Sequence, residues 1–141
     1  VYPEGSPTHP SYPAGHAGIA GACGGIVKAI FDTEATLETV VRPTPDGQNL
    51  EAIDTSLTVG AELNKLQFNH YLGRNWAGIH YRSDGIDGHI LGERVAAAYL
   101  NGKVSMINRD GISLSLPTVD GEVLTIDGDL SRSYTMPDRD R

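Results

Sequence analysis

The run from Ala14 to Ile30 limits the fold more than any other part of this chain. It follows Pro13, which fixes the backbone just ahead of it, and it is crowded with small residues: Gly18, Ala20, Gly21, Ala22, Gly24 and Gly25. The pattern predicts a helix over about residues 15–31. Glycines lower the helix propensity of such a segment. They suit a helix pressed closely against others, where small side chains let backbones approach. Glycine is 17 of 141 residues, about twice its usual share, so tight turns or close backbone packing are expected.

Around this run the sequence reads as mainly α. Residues 1–14, rich in Pro and Gly, predict an ordered loop, and residues 32–54 a long one, with turn chemistry at Arg42-Pro43-Thr44-Pro45-Asp46-Gly47. A second helix is expected from Thr55 or Ser56, with Thr58 as an alternative cap, to about Leu72; Leu57, Ala61, Leu66 and Phe68 would supply much of its apolar surface. Ser83 and Asp84 are start signals for a third helix, expected to reach about Leu100 with Ile90, Leu91, Val95 and Ala98 inward, and to stop at Asn101-Gly102. The period then becomes two. Ile112–Leu116, a Val119-Asp120-Gly121 turn and Val123–Ile126 predict a β-hairpin. The expectation is a single partial domain: a helical region over 1–100, a hairpin over 101–130 and a loose tail over 131–141.

Bulk properties exclude several function classes. A length of 141 residues allows at most one domain, and a 39% hydrophobic share a modest core. The formal net charge of −7 argues against nonspecific binding to nucleic acid. Cys23 is the only cysteine, which rules out an internal disulfide and a Cys-based zinc site; within a small-residue helix it reads as a buried, inert thiol. No apolar run approaches a membrane span and no secretory signal is visible, so the compartment is unassigned. A start at Val1 suggests a processed chain or a piece of a longer one.

Two segments about sixty residues apart carry chemistry. In the first, Ser6 to His16, the sequence Pro13-Ala14-Gly15-His16 stands at a predicted helix start. Free N–H groups and the helix dipole favour an anion there. Gly15 lets the backbone approach a ligand, and His16 can act as a general acid–base near neutral pH. In the second, Gly73 to Asp84, Arg74 offers a rigid fork of donors, His80 follows six residues later across a Gly-containing turn, and Asp84 lies four residues beyond. A carboxylate there can hold one imidazole nitrogen protonated and leave the other free as a nucleophile or metal ligand; equally, Asp84 can cap the third helix. Read alone, His9 divides between a supporting and a loop role. His70 and His89 read as surface or core residues, and Trp76 as packing.

The wording Ser-Pro-Thr-His-Pro-Ser-Tyr-Pro-Ala-Gly-His (6–16) and Gly-Ile-His-Tyr-Arg-Ser-Asp (78–84), with the spacing Arg-x5-His-x3-Asp, resembles the last two of three signature motifs of vanadium-dependent haloperoxidases. These share a site with the type-2 phosphatidic acid phosphatases. The likeness covers roughly residues 5–100 and leans to the bromoperoxidase branch. It implies the C-terminal half of a helical bundle, about three helices, followed by the hairpin. It implies vanadate as cofactor, with His80 binding vanadium, Arg74 and the Gly15 amide holding oxygens, His16 assisting peroxide protonation and His9 near the cofactor. The implied reaction is oxidation of halide by hydrogen peroxide.

Two departures from the family stand out. Its first motif, a Lys followed seven residues later by Arg-Pro, has no match: Arg42-Pro43 has Ala35 at that place. Ala14 also stands where the family form has Ser, which removes one oxyanion hydrogen bond worth about 1–2 kcal/mol. The missing cations imply a complementary N-terminal half or a homo-oligomer. Two alternatives are an acid phosphatase of the same superfamily working through a phosphohistidine, and a non-catalytic assembly module that keeps an inherited site.

Overall fold

The computed structural model describes residues 7–107 and 111–138. The portions of the expected N-terminal loop and tail at residues 1–6 and 139–141, Ser6 of the first motif among them, lie outside the described residues. Three helices, α1 (Gly15–Ile30), α2 (Val59–Trp76) and α3 (Arg82–Ile107), are followed by an antiparallel pair, β3 (Leu114–Pro117) and β4 (Val123–Ile126). This is the expected mainly α bundle with a C-terminal hairpin.

The small residues of α1 do what their composition suggested. A Cβ added at Gly21 would stand 2.2 Å from the carbonyl oxygen of His89, and one at Gly92 would stand 2.1 Å from that of Gly18. At Gly88 it would meet the Ala14 oxygen at 2.6 Å. Helices α1 and α3 therefore touch backbone to backbone along a glycine seam. This overturns the expected inward face of α3. Ile90 is buried, but Leu91, Val95 and Ala98 are exposed. The packing face of α3 is made instead of Gly85, Gly88, His89, Gly92, Glu93, Ala96 and Ala97, because only small or partnered polar groups fit so close an approach.

Helix α2 starts later than the expected Thr55 or Ser56: the alternative, Thr58, is the cap, because its Oγ1 accepts from the Ala61 amide at 3.2 Å. Phe68 packs inward beside buried Tyr71, whereas Leu66 points out. The helix runs past Leu72 to Trp76, and Trp76 is 84% exposed, so it is not a packing residue. Cys23 is exposed, not buried, because α1 buries the face opposite to it.

Helix α3 does not stop at Asn101-Gly102. Asn101 is buried; its Oδ1 accepts from the Asp127 and Gly128 amides at 3.1 and 2.8 Å, and its Nδ2 donates to the Asp129 carbonyl at 2.8 Å. A side chain engaged in tertiary bonds has no local role as a stop signal. The helix continues to Val104, which packs with Leu116, Leu124 and Ile126 of the hairpin. Tyr134, in the segment expected to be loose, packs on this cluster and donates to the Thr125 carbonyl at 2.6 Å. The expected long loop also holds a short ribbon, β1 (Val41–Pro43) paired with β2 (Leu50–Ala52), closed by a turn with Gly47 at φ 70°.

Polar groups cross the interior as well. Lys28 and Glu93, both with fully buried side chains, pair at 2.7 Å. Lys28 also donates to the Pro117 carbonyl at 3.0 Å, and Glu93 accepts from the Val119 amide at 2.9 Å. The hairpin is thus tied to α1 and α3 by charged groups with partners.

Candidate oxyanion-binding site

Short-range chemistry builds the second motif. Helix α2 ends in a reciprocal pair of turn bonds, Gly78 N–H to Asn75 C=O at 2.9 Å and Ile79 N–H to Arg74 C=O at 3.1 Å, with Gly78 at φ 75°. This double closure needs a residue in the left-handed region, where glycine carries no Cβ penalty. It leaves Arg74 on the last turn of α2 and brings the chain round to His80. Helix α3 then opens with Asp84 Oδ2 accepting from the Tyr81 amide at 3.0 Å, a carboxylate reaching back over the first turn.

Both roles weighed for Asp84 can now be measured. Its hydrogen bond caps the helix. His80 Nδ1 lies 3.7 Å from Asp84 Oδ2, close enough for electrostatic contact and too far for a hydrogen bond. The Tyr81 amide, with further bonds from Ser11 and Ser83, holds the Asp84 carboxyl below its ordinary range.

The first motif is joined to the second by the backbone. The Ala14 N–H donates to the Asp84 carbonyl at 2.9 Å. This bond sets the start of α1 beside the start of α3. Ala14 caps α1 with no side-chain hydrogen bond, so the first amides of that helix remain open. A Cβ at Gly15 would meet nothing within 4 Å; the backbone there faces free space. His9 and His80 stack loosely, with ring centroids 6.3 Å apart. Pro7, His9, Ser11 and residues 78–81 line a cleft of about 340 Å³.

His16 senses the whole assembly. Desolvation first, then Arg74, His80, His70 and His9 in that order, hold its imidazole below the ordinary value. The residues picked out from the sequence, His9, Gly15, His16, Arg74, His80 and Asp84, therefore gather at one end of the bundle. Ala14 is also there, but its side chain is buried in an apolar cluster with Ala17 and Tyr71.

Two residues escaped the sequence reading. Ser11 lines the cleft and bonds to Asp84; it stood inside the first motif but had no assigned partner. His70 acts on His16 across the helix pair. Its position four residues before Arg74, on one face of α2, was the available signal.

The arrangement suits an oxyanion. Arg74 Nε and His80 Nδ1 are buried and have no hydrogen-bond partner. Among the described residues no group of three or more His, Cys, Asp or Glu side chains could hold a metal ion directly.

Residues 1–109 match the model of the VCPO second helical-bundle domain. The chain is 42% identical over 128 residues to the vanadium-dependent bromoperoxidase of Corallina officinalis, an alignment covering 89% of this chain and 21% of that protein. The same figures hold for the vanadium-dependent bromoperoxidase of Corallina pilulifera. Against that of Ascophyllum nodosum the identity is 43% over 102 residues, 70% of this chain and 18% of the relative. The chain thus spans about a fifth of the length of these relatives.

Proposed function

This chain belongs to the family of VCPO second helical-bundle domains, of the vanadium haloperoxidases, and from that membership we propose that it supplies the histidine–arginine part of a vanadate site in an enzyme oxidising halide, bromide in the first place, with hydrogen peroxide. The observation that carries this reading is the convergence of Arg74, whose Nε is buried without a partner, and His80, set between His9 and Asp84, at the junction of the two motifs. Unsatisfied buried polar groups are costly and rare in folded proteins unless something is meant to meet them.

The residues present fit the cofactor. His80 would be the single protein ligand. Asp84 near Nδ1 biases the proton to that nitrogen and leaves Nε2 free to ligate. Arg74 and the open amides at Gly15 would hold oxygens of the anion. Bound vanadate would supply Lewis-acid activation of hydrogen peroxide. His16, held below its ordinary value, is largely neutral near pH 7 and can accept a proton from incoming peroxide and return it later. His9 and Ser11 line the cleft beside His80, and His9 sets its ring against the His80 ring.

The remaining cations would come from a complementary half or from a second copy. Native mass spectrometry of the enzyme carrying this domain, with vanadium measured in the same sample, tests the reading together with peroxide-driven bromination of a phenolic dye. Vanadium bound in one-to-one ratio, lost on His80→Ala together with bromination, is the expected result. Vanadium-free protein that releases phosphate from an aryl phosphate would replace this reading with the phosphatase. Protein with neither activity and no vanadate uptake would leave only the assembly module.

A further inference from the structure

Helices α2 and α3 form an antiparallel hairpin, with only residues 77–81 between them. Two side-chain contacts set how they cross. In the first, His89 Nε2 and Gln67 Oε1 lie 2.5 Å apart, both residues being buried. In the second, Tyr71 sits against Gly85, where an added Cβ would stand 2.3 Å from the ring. From the first contact to the second the chain moves four residues forward on α2 and four back on α3, about one turn of each helix. The next turn in the same direction reaches Arg74 on α2 and Tyr81, beside His80, at the entry to α3. The two contacts are therefore rungs of one ladder, and its open end is the anion site. Phe68 fills the space between the rungs, its ring centroid 5.0 Å from that of Tyr71 and 5.5 Å from that of His89.

The polar rung is clamped from all three helices. On α1, Gly24 makes room for Gln67: a Cβ there would stand 1.9 Å from Gln67 Nε2. On α3, Glu93 Oε1 lies 3.8 Å from His89 Nε2 and favours a proton on that nitrogen, and Lys28 of α1 holds Glu93 at 2.7 Å. His89 Nε2–H therefore donates to Gln67 Oε1. Burial first, and then the Lys28 charge, lowers the His89 pKa to about 4, so the ring is neutral near pH 7. This is a costly way to join two helices, because Gln67 Nε2 and His89 Nδ1 are left buried without a hydrogen-bond partner. An apolar pair would avoid that cost. It would not fix direction, since apolar contact is non-directional and a hydrogen bond is not.

We propose that His89 and Gln67 are positioning residues for the anion site: their hydrogen bond, with Tyr71 seated on Gly85, fixes the crossing of α2 and α3 that aims Arg74 at a ligand on His80. The proposal rests on the reading of this chain as part of a vanadate site. Arg74 stands seven residues beyond Gln67 on the same face of α2, so a tilt at the polar rung is carried to the guanidinium. His80 is fixed separately, through the Gly78 turn before it and the Asp84 carboxylate after it, and would not follow that tilt.

The test uses the whole enzyme, with vanadate affinity read by equilibrium dialysis and the separation of Arg74 from His80 read by crystallography. Gln67→Met keeps the volume against Gly24 and removes the acceptor, and His89→Leu removes the donor. Each should weaken vanadate binding at least about tenfold, the scale on which partners behind a metal site act. Each should also move Arg74 relative to His80 by more than about 0.5 Å, the tolerance of a preorganised site. His89→Gln keeps a side-chain N–H donor and should bind vanadate within about threefold of wild type. Val104→Ala, which opens the hairpin core at the far end of α3, is the stability control; it should lower the urea midpoint and leave vanadate affinity within about twofold. Unchanged affinity in Gln67→Met, or an equal loss in Val104→Ala, would show that the bond serves stability alone and would overturn the proposal. The two readings fail separately. If the wild-type enzyme binds no vanadate, the site reading fails, and the Gln67→Met crystal still decides the positioning: a shift below about 0.5 Å overturns it.

Discussion

The two ends of α3 bury polar groups in opposite ways. Toward the hairpin, Glu93 and Asn101 are buried and fully engaged: Glu93 with Lys28 and the Val119 amide, Asn101 with three backbone groups of residues 127–129. At the start of the helix, His80 and neighbouring Arg74 each bury a nitrogen that has no hydrogen-bond partner. The same polar chemistry holds the structure together at one end and leaves nitrogens without a hydrogen-bond partner at the other. Burial of a charged or polar residue, or one unmet atom such as Arg94 Nε beside the hairpin, therefore does not mark a functional site here; what distinguishes Arg74 and His80 is that their unmet nitrogens lie together at the junction of the two motifs.

This contrast is broken most forcefully at Glu93. Glu93→Ala would leave the Lys28 ammonium buried without its carboxylate and strand the Val119 amide. A loss of about 3–5 kcal/mol is expected, read from urea unfolding. Replacing both partners, Lys28→Met with Glu93→Leu, should cost clearly less than the sum of the two single changes, because no lone charge remains. Additive losses would mean that the pair is not coupled and that the hairpin is held by its apolar contacts alone.

Asn101→Ala comes next. It removes one side chain and leaves the Asp127 and Gly128 amides and the Asp129 carbonyl without that partner. About 2–3 kcal/mol is expected. Hydrogen exchange should rise first at residues 127 and 128, while the body of α1 keeps its exchange rates.

These two residues also show what could be read from the sequence. The start of α1 and the Arg-x5-His-x3-Asp segment were legible because each is fixed within a few residues, by a proline, by a glycine turn and by a back-reaching carboxylate; the Thr58 cap was legible only as the alternative to Thr55 or Ser56. The inward face of α3 was not. Leu91 and Val95 look like core and Gly88 and Gly92 like gaps, but a seam in which backbones touch inverts that rule. Asn101-Gly102 read as a stop because the partners of Asn101 lie some 26–28 residues away. The site shows the same division. Its residue types were visible, whereas the bond from Ala14 to Asp84 that joins the two motifs belongs only to the folded chain.

Acid should weaken the partnered interior before it reaches the site's carboxylate. His89 has a folded pKa of about 4 against 6.5 for the free imidazole, so the unfolded chain binds more protons between these values. Stability is full above about pH 6.5 and falls as the pH drops toward 4, by about 2 kcal/mol between pH 7 and 5. Glu93, whose pKa is raised, opposes part of this loss, because the folded state takes up its proton earlier. Asp84 is shifted down and contributes only below the usual carboxylate range. His89→Gln should flatten the slope of the urea midpoint against pH in that window; an unchanged slope would place the titration elsewhere.

At the open end, Ala14→Ser should act in the other direction and by less. Ala14 is the N-cap of α1, in an extended conformation with no side-chain cap. A serine there can accept from an amide of the first turn, for a gain of about 1 kcal/mol in stability. If the hydroxyl turns instead to the bound anion, vanadate should bind a few-fold more tightly while the urea midpoint stays put. The buried apolar cluster around Ala14 sets a third possibility, a loss in both, which would mean that the hydroxyl is trapped against Tyr71.

The smallest structural effect is expected at Arg74, and it is the most telling. Arg74→Met keeps the length of the side chain on α2 and removes a buried nitrogen that has no partner in the fold. Without ligand, stability should change by less than about 0.5 kcal/mol, the range of substitutions that break no native bond. Vanadate affinity should fall at least tenfold, by equilibrium dialysis with metal analysis, since a charge-assisted contact to the anion is lost. A large loss of stability without ligand would show that Arg74 already serves the fold. The two ends of α3 would then differ in degree only, and the unpartnered nitrogens would no longer single out a site.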